Sequence, residues 1–145
     1  MNPVRDKTSK MSADPLLPRA GRVSNGMNLR WLLVALVLSG AVAILNHLAG
    51  VYDWYFYSQG FDRFIHLLGG IAIATFVVGM FPVRRSIIFI TLCVLVFVGW
   101  EIFEYVAKLP QPANYALDTE LDLLMDTLGA IVVYVFARKT IWFTP

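Results

Sequence analysis

Four apolar runs, at about 29–49, 62–81, 86–106 and 121–138, take up most of the chain after residue 28. A bilayer hydrocarbon core about 30 Å thick is crossed by roughly twenty apolar residues in a helix, so each run is a candidate span. With 58% hydrophobic residues and a mean hydropathy of +0.65 over 145 residues, the chain is too apolar for a soluble single domain. The expected fold is therefore all-α, an integral membrane four-helix bundle over residues 29–145 with lipid as its main solvent.

The first 28 residues differ in kind. They are polar, contain Pro3, Pro15 and Pro18, and show no apolar periodicity, which predicts a disordered basic tail. The stretch LLVALVLSGAVA has the look of a signal-peptide core. Its apolar character continues toward Leu48, however, and the charged segment before it is long, which favours an uncleaved anchor. The single cysteine, Cys93, lies inside the third run, where no intramolecular disulfide can form and packing is the expected role.

Orientation follows from the basic residues flanking the spans. Arg5, Lys7, Lys10, Arg19, Arg22 and Arg30 precede the first span, Arg84 and Arg85 separate the second from the third, and Arg138 and Lys139 follow the fourth. These share one side, so both termini are expected in the cytoplasm. The outer side has only Arg63 and Lys108 as basic residues but receives Asp53, Asp62, Glu101, Glu104, Asp118, Glu120, Asp122 and Asp126, with both histidines. Topology and anionic lipid account for the basic face without a nucleic-acid partner.

Ionisable groups inside a span are costly in lipid and by default face the bundle interior or a watery cavity. At about 1.5 Å per residue, His66 lies roughly 6 Å beyond Asp62, Glu101 roughly 6 to 8 Å from the outer end of its span, and Asp126 roughly 8 to 10 Å into the fourth. Three helices thus bring ionisable groups to one level. Asp62 and His66 are i, i+4, Glu101 and Glu104 are i, i+3, and Asp118, Asp122 and Asp126 form an i, i+4 series, so each set shares a face. Gly69 and Gly70 after His66, and Gly129 and Ala130 after Asp126, allow close helix approach.

Plainer roles compete for some of these residues. Thr119 with Asp122 has the spacing of a capping box, and acids at a helix start favour its dipole, a reading that suits Asp118 and Glu120 and competes evenly for Asp122. Glu104 and Lys108 have the spacing of a rim ion pair. His47, beside Asn46, reads as an interfacial histidine. Tyr52, Trp54, Tyr55, Phe56 and Tyr57 read as an aromatic belt, with a lid over the site as the alternative. Arg63 either snorkels outward or holds an anionic headgroup. The expected site therefore has Glu101 and Asp126 as catalytic candidates and His66, Glu101, Asp126, Asp62, Glu104 and Asp122 as candidate metal ligands. Arg63, Trp54 and Tyr55 are the candidate substrate contacts.

The segments DRFIH, WEIFE and DLLMDTLGA resemble the YjdF-like family of bacterial inner-membrane proteins and, more distantly, the VanZ-like family, over about residues 60 to 137. The resemblance implies a multi-pass protein of the bacterial cytoplasmic membrane. It carries the first motif onto Asp62 and His66, the acidic pair onto Glu101 and Glu104, and the closing aspartates onto Asp122 and Asp126. Glu104 stands where the VanZ-like pattern has Gln, and Asp126 where it has Asn. Both differences add negative charge and favour a cation, but the resemblance names no substrate.

Three classes of function are compatible with these residues. A histidine among carboxylates can hold one divalent cation, Mg, Mn, Zn or Fe, that activates water or polarises a phosphoryl oxygen of an envelope lipid or lipid-linked headgroup. A proton- or cation-coupled carrier uses similar acids but needs a path to both faces, and the inner halves of the spans offer no carboxylate, lysine or histidine. A non-catalytic scaffold locked by its polar cluster is the third. No zincin or P-loop motif occurs.

Overall fold

The computed structural model describes residues 27–58, 60–81, 86–108 and 114–142. The expected tail, apart from Met27 and Asn28, lies outside the described residues, as do Arg84 and Arg85. Helix α1 (Leu29–Val51) is followed by the single turn α2 (Trp54–Tyr57), then by α3 (Phe61–Met80), α4 (Ser86–Ala107) and α5 (Tyr115–Ala137), which runs into a π-helical turn at Arg138–Trp142. Among the described residues there is no strand.

Three of these helices, α1, α3 and α4, are long and apolar enough to cross a membrane. Helix α5 matches them in length but carries Asp118, Glu120, Asp122 and Asp126. It also begins earlier than its apolar run. The Asn114 side chain accepts the Leu117 amide at 3.4 Å and caps the helix there. The capping box expected at Thr119 and Asp122 is thus overturned: both lie inside α5, and Asp122 is buried. Asp118 does fall in the first turn, where a negative charge suits the helix dipole.

The distribution of burial is inverted relative to a water-soluble bundle. Leu36, Val37, Leu95 and Val106 are exposed, whereas His66, Thr75, Glu101, Asp122 and Asp126 are buried. Such a surface is stable when hydrocarbon surrounds it, because apolar side chains then have no reason to turn inward.

Helix α3 is the central element, packing against α5, α1 and α4, while the backbones of α1 and α4 do not approach one another. The reason is visible in its small residues. A Cβ on Gly70 would overlap the backbone of Asp126, coming within 2.7 Å of its Cα. One on Gly129 would run into the Leu67 carbonyl oxygen and come within 2.8 Å of the Ile71 amide. The α3–α5 crossing is therefore a backbone-on-backbone contact that only glycine permits at both places. On the other side of α3, the Asn28 amide donates to the Gly79 carbonyl at 2.8 Å, tying the start of α1 to the end of α3.

Below the crossing, Ala74, Val77 and Val78 of α3 pack with Phe89, Cys93 and Phe97 of α4 and Ala130, Val133 and Ala137 of α5. Cys93 is a packing residue there, as its position suggested. The polar members of this half satisfy one another: Thr75 donates to the Ile71 carbonyl at 2.6 Å, and Ser86 and Tyr134 share a hydrogen bond of 2.6 Å.

Candidate functional site

The acids and the histidine converge where α3, α4 and α5 meet above the glycine crossing. His66 is the common member. Its Nδ1 lies 3.3 Å from Asp126 Oδ2, and its Nε2 lies 3.9 Å from Asp122 Oδ2. With both partners on α5 one turn apart, the i, i+4 spacing read from the sequence places them on the two sides of one imidazole ring.

Two overlapping groups have ligand atoms mutually within 4.8 Å: Asp62, His66 and Asp122, and His66, Glu101 and Glu104. Asp126 belongs to neither group, since it occupies the Nδ1 side of the ring. Glu101 and Asp122 are 5% and 2% exposed. Their Oε1 and Oδ1 atoms are buried without a hydrogen bond of normal geometry, as is Thr119 Oγ1, although the Thr119 hydroxyl is close enough to Glu101 to interact with it. Buried carboxylate oxygens without donors are expensive in a medium of low dielectric.

The other expected residues fall into distinct places. Glu104 accepts the Trp100 indole N–H at 2.8 Å, so the rim pair expected with Lys108 gives way to an i, i+4 contact on the opposite side. His47 is exposed and joins neither group, as expected of an interfacial histidine. Arg63 is exposed on α3. Trp54 packs edge-on against Phe61, with ring centroids 5.2 Å apart.

A cleft of about 320 Å³ opens beside the cluster. Asp62, His66, Glu104 and Asp126 line its polar side, and Tyr55 of α2 also lines it. Of the three candidate substrate contacts, Tyr55 lines this cleft, whereas Trp54 and Arg63 do not. The Tyr55 hydroxyl donates to Asn46 Oδ1 of α1. Burial, with Asp62 and Glu104 nearby, pushes the Tyr55 phenol up to about 12, so it remains a neutral donor at physiological pH. Tyr52 and Tyr57 of the aromatic segment are exposed, and Tyr55 lines the cleft.

Asn46, Trp100 and Ser39 also line the cleft and were not anticipated. The Trp100–Glu104 spacing was a usable signal. Asn46 offered only its polarity near the outer end of an apolar helix.

The sequence profile of a family described as "Predicted membrane protein (DUF2238)" matches residues 16–141. No curated protein and no solved structure matches the chain.

Proposed function

The chain belongs to the predicted membrane protein family DUF2238, and from that premise we propose that it is a one-sided, cation-dependent site for the phosphorylated headgroup of an envelope lipid. The observation that carries this reading is the burial of Glu101 and Asp122, each with one oxygen that has no hydrogen bond of normal geometry and each a member of a group of potential ligands that includes His66. A divalent cation supplies what these oxygens lack. His66 Nε2, Glu101 and Glu104 are the proposed ligands, with Asp62 and Asp122 completing the set from the other group.

Asp126 then orients rather than ligates. A metal-binding histidine commonly donates its second ring N–H to a carboxylate, which fixes its tautomer and raises its basicity. The 3.3 Å contact at Nδ1 fits that role. Oxygen-rich ligation with one imidazole suits Mg, Mn, Zn or Fe. Held by these residues, such an ion would neutralise a lipid phosphate that the acids alone would repel and would supply Lewis-acid polarisation of its phosphoryl oxygen and of bound water. Glu101, the most deeply buried carboxylate of the second group, is the proposed general base through the oxygen that does not bind the ion.

The carrier alternative lacks a route. From Leu67 to Met80 on α3, from Ser86 to Trp100 on α4 and from Thr127 to Ala137 on α5 there is no carboxylate, lysine or histidine. Outward orientation of the site and residence in the bacterial cytoplasmic membrane complete the proposal, resting on the distribution of basic residues and the motif resemblance.

Elemental analysis of the purified full-length protein tests the cation directly. About one equivalent of one metal is expected, and chelator should lower the melting temperature, because saturation at a hundredfold excess over Kd contributes about 2.7 kcal/mol. Less than about a tenth of an equivalent, with a melting temperature indifferent to chelator, would leave the polar cluster as a helix lock.

A further inference from the structure

A second cavity, of about 280 Å³, continues from the first. The two share Ser39, Ala72 and Ile73 as lining residues, and the second extends past Phe76 and Val77 to Phe81, with Leu92 and Val96 on the α4 side. Together they form one groove whose floor is α3 and whose walls are α1 and α4, two helices whose backbones pack on α3 and not on each other. Its outer end is ionisable and its inner part almost wholly apolar.

The dimensions restrict the occupant. From His66 to Phe81 the groove follows α3 for about 22 Å at 1.5 Å rise per residue. A chain confined to one leaflet has only about half of a 30 Å hydrocarbon core to occupy. The groove therefore passes the bilayer midplane, and a single helix forms its floor. We propose that it holds the hydrocarbon chain of a single-chain polyprenyl-type lipid phosphate, longer than one leaflet, with the phosphate at the His66–Glu104 end. This deepens the reading of the site above and rests on it. The amphipathic lining matches such a molecule end for end: a cation held by the acids faces its phosphate, and Phe76, Val77, Leu92 and Val96 face its chain.

The test uses full-length protein in nanodiscs with three probes: a long polyprenyl phosphate, farnesyl phosphate, which is shorter than a leaflet, and diacyl phosphatidic acid. Native mass spectrometry should show the long chain bound at least about tenfold more tightly than either of the others. Ser39→Trp on one wall and Val96→Trp on the other replace exposed residues, so the helices still pack. Each should weaken the long chain roughly tenfold while metal content stays at the wild-type level. Equal binding of farnesyl phosphate or phosphatidic acid, or unchanged long-chain binding in both tryptophan variants, would overturn the groove. Long-chain binding that survives complete metal removal and remains sensitive to both variants would support the groove while removing the cation reading.

Discussion

At the scale of single residues, His66 shows how much a spacing rule can convey and where it stops. His66, Glu101 and Asp126 were recognisable from sequence as one polar level, with Asp62 and Asp122 on the same helix faces one turn away, because helix pitch fixes depth and face. Which ring nitrogen meets which carboxylate was not, since that depends on the rotation of α5 about its axis, set by the Gly70–Gly129 contact. On the proposed reading Asp126 orients His66 and does not bind the ion. Asp126→Ala removes the acceptor at Nδ1 and should lower metal affinity by about 10- to 100-fold. Asp126→Asn keeps an oxygen there and should lose less, with abundance near wild type in both. A competition titration against a chelating dye measures this. Equal losses in the two variants would assign Asp126 to the metal instead.

At the scale of elements, hydropathy gave the three most apolar helices nearly to their ends, because lipid rewards any long apolar run with helix. Helix α5 was legible in its apolar part but began earlier than expected, since the Asn114 cap outweighs the polarity of its first turns. The gap between α1 and α4 was not legible at all. Periodicity describes the faces of one helix and says nothing about which neighbours it lacks. The glycines give the sharpest element-scale prediction. Gly70→Ala and Gly129→Ala force α3 and α5 apart and should destabilise the protein by about 1–3 kcal/mol or more. Gly40→Ala and Gly99→Ala meet nothing within 4 Å and should be tolerated. Thermal melts of the four proteins in one detergent provide the comparison. Equal tolerance at all four positions would show that the crossing relaxes freely.

At the scale of the whole molecule, the four-span arrangement and its orientation rest on charge. Ten of the twelve basic residues fall on the proposed cytoplasmic side, and eight of the ten acids on the other. In a Cys93→Ser background, a cysteine at Gln59 should react with an impermeant thiol reagent applied from outside, and one at Ser24 should not. Both positions lie outside the described residues, where labelling supplies information that packing does not. Reaction at Ser24 in intact cells would reverse the orientation and turn the site toward the cytoplasm.

The glycine crossing also bears on how the protein is made. Asp126 lies near the middle of α5, and an aspartate at the centre of an isolated span opposes insertion by about 2.5–3.5 kcal/mol. Among the described long helices, α5 alone falls outside the set long and apolar enough to cross a membrane. On the four-span reading it enters the bilayer against α3, which offers His66 to its aspartates and Gly70 to its backbone. On that reading, insertion of α5 would depend on its pairing with α3, so substitutions at the crossing would lower the yield of inserted protein as well as its stability.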